Sequence, residues 1–366
     1  MQELFLELIQ VSLGNKEGLE RIPSEYEWQK LFDLACKHSL ASILLIGLDK
    51  VLSQPGVAKP KLLFEWIGIQ QVTETQNKLQ NKRCQELCEI FNIAGFRSTV
   101  LKGQGTALYY DKPEYRQCGD IDLWVSKDGR CLTDDVRSEV LQFVKQKGYH
   151  VGHVDIKHSD IDFFEDVLVE VHFLPSWMYC PTSNKRLLKF FDEKADRQFA
   201  NIDEQLGFAH TTIDFDLVYS MAHIYRHIFS EGIGLRQLVD YYYILLRSTE
   251  EQRNEAFDIL CHLKMKSFAG GVMWILMVCF GMNIKYSLCP TNECHGKFLL
   301  SEIMTAGSFG HFDDRTKHVS KDKKFERGFV QLGRNLRFVS YYPSEVLWSP
   351  FWKLWHWCWR KKKGYL

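Results

Sequence analysis

The chain has 366 residues, 45% of them hydrophobic, which is enough for two or three packed units and too apolar for a disordered linker. Lysine plus arginine balances aspartate plus glutamate at 46 each, so there is no global positive field of the kind a general nucleic-acid binder carries, and attraction for an anion has to be local. Eleven irregularly spaced cysteines, without an N-terminal signal peptide, do not read as a disulfide framework and lead us to expect a reducing compartment, the cytoplasm.

Helical spacing dominates residues 1–92, where Leu31, Leu34 and Ala35 continue into Leu40, Ile43, Leu44 and Leu48. Phe64 to Asn92 reads as one long helix that feeds the next strand and braces its sheet. That strand is Arg97-Ser98-Thr99-Val100-Leu101. Gly103 and Gly105 then permit a tight turn, and Thr106 to Tyr110 reads as the opening of a helix. A strand that turns through glycine into a helix aims backbone N–H groups at an anion in the turn. Lys102 adds a point charge there. Arg116 adds a fork that can grip a phosphate, or that simply pairs with Glu114 or Asp111.

Gly119-Asp120-Ile121-Asp122-Leu123 follows. Alternate residues of a strand share a face, so Asp120 and Asp122 point together while Ile121, Leu123 and Val125 pack elsewhere. Two carboxylates on one face suit magnesium, or mark a solvated strand end. A helix is expected over Asp135 to Gly148. Strand-like runs at His150–Ile156 and Ile161–Phe164 follow it, with Lys157-His158-Ser159-Asp160 between them as a hairpin tip or a strand-end contact. Val167 to Phe173 reads as a further strand with Glu170 and His172 on one face and Val169, Val171 and Phe173 on the other. The expected fold class is α+β: a small mixed sheet (93–205) between an N-terminal (1–92) and a C-terminal (206–366) helical region.

In the third region, Asp216 to Ser230 sets Met221, Ile224 and Ile228 on one face, while His223, Arg226 and His227 share part of another. Gly232-Ile233-Gly234 breaks that helix. Arg236 and Asp240 open the next one, as an i,i+4 ion pair or as substrate contacts. Phe268 to Met282 is too short and too interrupted by glycine for a membrane span, and reads as a buried helix. Cys84 with Cys88, and Cys289 with Cys294, lack the matching pairs of a zinc site. Trp348, Phe351, Trp352, Trp355, Trp357 and Trp359 crowd ahead of Arg360-Lys361-Lys362-Lys363. Such a tail packs a stripe of Trp352, Trp355 and Trp359 on the protein, or seats a helix at a membrane interface.

The glycine turn, the Asp-x-Asp strand and the later Glu-x-His strand resemble the nucleotidyltransferases of the DNA polymerase beta type, and within them a group of largely uncharacterised bacterial proteins. The likeness covers about residues 90–240 and, for the uncharacterised group, the flanking helices too. This chain differs from better known members in its Lys102-Gly103-Gln104 turn, its longer path through Pro113 and Arg116 to the aspartates, and a glutamate as third carboxylate.

The resemblance implies transfer of a nucleoside monophosphate from a nucleoside triphosphate to an acceptor hydroxyl on a small molecule, glycan precursor or protein. It implies two divalent ions, expected to be Mg2+, on Asp120, Asp122 and Glu170. Lys102, Gly103, Gln104, Arg116 and Gly119 would bind the nucleotide, with His172, His158, His223, His227, Arg236 and Asp240 as further substrate contacts. Two other functions fit the sequence: a nucleotide-binding or regulatory module of weak activity, and a peripheral membrane or scaffold protein acting through its tail.

Overall fold

Four helices precede the sheet: α1 (Gln2–Ser12), α2 (Glu25–Lys37), α3 (Ala41–Leu52) and α4 (Leu63–Ile93). The computed structural model describes residues 1–310, 312, 313, 315, 333 and 335–365. Local chemistry sets the helix starts. At α2 the Ser24 hydroxyl accepts from the Glu27 N–H while the Glu27 carboxylate accepts from the Ser24 N–H, a reciprocal cap. The 31 residues of α4 form the long helix expected from the sequence, and it leads directly into β1 (Arg97–Val100).

The main sheet has five strands in the order β1-β2-β5-β4-β3, with β2 at Ile121–Ser126, β3 at Val151–Val154, β4 at His158–Ile161 and β5 at Val169–His172. β2 and β5 run parallel and the other neighbours antiparallel. Between β1 and β2 lies a four-residue turn of helix, α5 (Gln104–Ala107), and between β2 and β3 lies α6 (Asp134–Gln146), closed by Gly148 at φ +82°. Strand alternation sorts the side chains by face. Ile121, Leu123, Val125, Val169 and Val171 join Leu87 and Phe91 of α4 and Val136, Val140 and Val144 of α6 in one apolar cluster. Asp122, Trp124, Glu170 and His172 occupy the opposite face.

Of the two readings of the hairpin, the tip is the one the structure rejects. His158 and Asp160 lie on strand β4, not on a tip, because the Asp155 carboxylate accepts from the backbone N–H groups of Lys157 (2.6 Å) and His158 (2.8 Å) and closes the turn earlier. The shift brings His158 opposite His172 and Asp160 opposite Glu170.

After the sheet come α7 (Pro181–Ala200), the small pair β6 (Ile202–Asp203) and β7 (Phe208–Ala209), and then α8 (Ile213–Ser230), α9 (Leu235–Arg247), α10 (Glu250–His262), α11 (Lys266–Trp274), α12 (Glu293–Ala306) and α13 (Pro343–Lys363). Helices from both ends of the chain share one core, in which Phe5, Leu44 and Trp66 are buried together with Leu238, Ile244 and Phe268. Gln10 and Asn15 tie this core further by donating to the carbonyls of Cys279 (2.9 Å) and Phe280 (2.7 Å). Most of the apolar run beginning at Phe268 is buried in it, as expected, while Val278 is exposed. Among the described residues no helix is long and apolar enough to cross a membrane.

Candidate active site

The turn after β1 is anchored by the Leu101 N–H, which donates to the Asp122 carbonyl at 3.0 Å. Gly103 sits at φ +61°, in the region that favours glycine, and a Cβ there would be 3.7 Å from the Asp120 carbonyl oxygen. Conformation, more than space, therefore selects glycine. The helix that follows is one turn, Gln104–Ala107, shorter than the run to Tyr110 expected from the sequence. Gln104 points away from the carboxylates: its amide donates to the Asn77 carbonyl (3.2 Å) and the Asn81 side chain (2.6 Å) on α4. Its amide nitrogen braces the turn from behind.

Asp122 on β2 stands in register with Glu170 on β5, and Asp120 immediately precedes β2. One oxygen from each of the three carboxylates lies within 4.8 Å of the others. Asp122 is 1% exposed, with Lys102 Nζ at 3.0 Å and His172 Nε2 at 2.8 Å from its Oδ1. Both contacts fall on Oδ1, and the buried Oδ2 has no hydrogen-bond partner. That donor set of oxygens fits a hard divalent cation.

Burial alone would raise the Asp122 carboxyl, but Lys102 and His172 outweigh it and hold it at about 2. Asp120 goes the other way, raised first by the neighbouring Asp122 charge and then by burial. Glu170 resists burial through His172, Lys157 and His158 and is held below the usual carboxylate range. Burial disfavours the Lys102 ammonium, yet Asp122, Asp120 and Glu170 raise it above its ordinary value. His172 is likewise raised, because its contacts with Asp122 and Glu170 outweigh burial and Lys157.

His158 adds a second group. Its Nδ1 is 3.2 Å from Glu170 Oε2, and His158, Glu170 and His172 offer ligand atoms within 4.8 Å of one another. Burial, helped by Lys157, lowers His158 to about 3, so its ring is neutral.

Helix α8 supplies the opposite wall. His223 Nε2 is 3.5 Å from Lys102 Nζ, and its ring lies 4.2 Å from that of His227, which reaches Glu231 at 3.3 Å. Burial and then Lys102 depress His223 well below the usual histidine value. Arg226 does not join them. Its guanidinium lies 3.8 Å over the ring of Trp177 and 4.7 Å over that of Tyr179.

Arg116 pairs with neither Glu114 nor Asp111. Its Nε and Nη2 donate to the two oxygens of Asp240 at 2.7 and 2.9 Å, and Tyr110 OH donates to the same carboxylate at 2.5 Å. Arg236 in turn donates to the Gln117 carbonyl at 2.6 Å, so the expected i,i+4 pair with Asp240 is replaced by two clamps on the loop before Asp120. Arg116 Nη1 has no hydrogen-bond partner.

Several residues of the site escaped sequence reading. Tyr219, one turn before His223 on α8, lines the cleft together with Ser220. Asn77 donates to the carbonyls of Glu114 (3.2 Å) and Arg116 (2.9 Å), and Gln80 donates to that of Gly119. The available signal was polarity at core spacing: Gln70, Thr73, Asn77 and Gln80 occupy buried positions on α4 where apolar side chains are usual.

A sequence model of a family described as uncharacterised nucleotidyltransferases matches residues 24–281, more than half of the chain, and the chain belongs to that family. The matched range runs from the cap of α2 to just beyond α11 and so takes in the whole sheet and both walls of the cleft. No curated protein matches the chain.

Proposed function

We propose that the chain is a metal-dependent nucleotidyltransferase of the DNA polymerase beta type, moving a nucleoside monophosphate from a nucleoside triphosphate to an acceptor hydroxyl. The observation that carries this is the convergence of Asp120, Asp122 and Glu170 within 4.8 Å, with the Asp122 carboxylate buried and faced by Lys102 and His172. Membership of the nucleotidyltransferase family supports it.

Asp120, Asp122 and Glu170 would hold a pair of divalent ions, expected to be Mg2+, and bound ions of this kind neutralise the triphosphate and lower the pKa of an acceptor hydroxyl. Lys102 supplies a fixed positive charge beside the carboxylates, and Arg116 Nη1 a free donor on a guanidinium already locked by Asp240. Gly103 and Gly119 let the backbone approach the phosphates. Glu170 serves as a ligand, not as a proton acceptor, because its neighbours hold it ionised below the usual range. The catalytic unit is then the sheet region, 93–205, and α8 and α9 of the C-terminal region form the opposite wall of its cleft. The space beside the carboxylates is about 40 Å3 and opens to solvent, below the roughly 300 Å3 of a small-ligand pocket.

A second reading, a triphosphate-binding module without turnover, is favoured by one observation: Lys102, Lys157 and His172 already balance the carboxylate charge. Calorimetry with each nucleoside triphosphate, with and without magnesium, tests both on the wild type and on Asp120→Asn/Asp122→Asn. Magnesium-dependent binding lost in a folded double variant, followed by pyrophosphate release with an acceptor, is the expected result. Binding without release with any acceptor favours the module, and a folded wild type that binds no triphosphate removes both.

A further inference from the structure

Helix α13 lies beyond the family match and is held to the molecule by one face only. The Glu345 carboxylate accepts from the backbone N–H groups of Tyr179 (2.7 Å) and Cys180 (3.1 Å). Trp352 stacks on Trp177 with ring centroids 3.6 Å apart and planes 7° from parallel, and Trp359 lies 5.0 Å from the Arg137 guanidinium. Lys363 reaches Asp134 at 3.2 Å. A helix fixed at both ends and in the middle has a settled orientation, so its outer face is a definite surface.

That outer face is apolar. Leu347, Phe351 and Leu354 are 61%, 67% and 63% exposed and recur at helical spacing, with Cys358 continuing the row. Trp348 and Trp355 flank the row on one side and Trp357 on the other, all half-exposed. No charged residue interrupts the row. One turn further on the same side are Lys361 and Lys362, both exposed. Trp355, which sequence spacing assigned to the docked stripe, stands at the edge of the exposed one. Among the described residues nothing packs on this face, and a contiguous patch of large apolar side chains marks a partner where scattered ones do not.

We propose that the outward face of α13 docks on an anionic lipid surface, with the helix lying in the plane of the interface. Three features select lipid. Tryptophans flank the aliphatic row, and their apolar rings with a polar N–H suit the headgroup boundary. The cations stand at one end of the row and outside it, positioned for anionic headgroups while Leu347, Phe351 and Leu354 enter the acyl edge. The row from Leu347 to Cys358 is about 16 Å long at 1.5 Å per residue, a continuous stripe along one helix that can lie lengthwise in an interface. The helix is not long and apolar enough to span, which leaves it on the surface.

The test is sedimentation of the full chain with vesicles of phosphatidylcholine alone and of phosphatidylcholine with phosphatidylglycerol. The wild type is expected to pellet with the anionic vesicles, less so as salt rises. Leu347→Glu/Phe351→Glu/Leu354→Glu should reduce the bound fraction by about tenfold with an unchanged melting temperature. Lys361→Glu/Lys362→Glu, in which Lys361 Nζ lies 5.4 Å over the half-exposed Trp357 ring, gives a second arm and should lose the preference for anionic vesicles. A wild type that stays in the supernatant with both vesicles overturns the proposal, as does binding that survives both variants. So does a dimer, seen by light scattering without vesicle binding, that the triple variant converts to monomer; the face would then join two copies.

Discussion

The two faces of the main sheet are made by the same strands and have opposite physical characters. One face presents Ile121, Leu123, Val125, Val169 and Val171 to α4 and α6 and is wholly apolar. The other, offset by one residue along each strand, presents Asp122, Glu170 and His172, with Lys102 closing the group from the turn. Packing resides on the first and the proposed chemistry on the second. The period of two in an extended chain is what allows five or six residues to encode both without conflict.

Substitutions on the charged face should separate the two properties most widely. Asp120→Asn is expected to reduce nucleotidyl transfer by on the order of a thousandfold, typical of removing a group that supports transition-state charge. The same change relieves the repulsion from Asp122 that raises Asp120, so the melting temperature should hold or rise. A parallel loss of melting temperature and activity would mean the two faces are not independent.

On the apolar face the effect should invert. Phe91 is fully buried and touches the rings of Phe96, Phe143 and Phe163. Phe91→Ala should cost about 3–5 kcal/mol of unfolding free energy by chemical denaturation. The affinity of the folded fraction for magnesium and triphosphate should stay unchanged.

A third test asks whether partners, more than burial, decide a carboxylate's charge. Asp122 is pulled to about 2 by cations, whereas Asp216, buried in α8 with Tyr109 OH donating at 2.9 Å and no cation beside it, is pushed up to about 7. A carboxyl raised on folding contributes its full stability below the unfolded value near 4 and loses it as pH rises through 7. Stability should therefore fall by a few kcal/mol at most between pH 4 and pH 8. Asp216→Asn should flatten that slope, and an unchanged slope would remove Asp216 as its source.

The smallest effect is expected behind the site. Asn77→Ala removes the donors to the Glu114 and Arg116 carbonyls and should cost about 1 kcal/mol. Turnover should fall by about tenfold as the loop before Asp120 loosens, an effect that steady-state assays would detect before any melting curve did.

Local pattern made much of this legible in advance. Alternation identified the strands and their faces, helical spacing identified α4, α6 and α8, and the Asp-x-Asp and Glu-x-His runs met where the register of β2 and β5 brought them. Residues whose role depends on distant partners were not legible. The bracing of Gln104 was hidden because the residues that hold its amide nitrogen lie on a helix more than twenty positions earlier. His158 looked like a loop residue because an aspartate three positions earlier ended the turn one step sooner than strand propensity implied. Trp352 and Trp355 looked equivalent in spacing until the ring of Trp177 selected one of them.

The pair between Arg116 and Asp240 spans 124 positions, and that separation sets an order of events during synthesis. Strands β1 to β5 can leave the ribosome and pair while α9 is still unmade, so the acidic triad forms on a nascent chain whose preceding loop has nothing to grip it. Only when Asp240 emerges does the guanidinium find its carboxylate and the loop settle. A truncated product ending before α9 would carry every acidic residue of the site and still lack the lock that orients them. An arrested or clipped chain would for that reason be silent, not wrongly active.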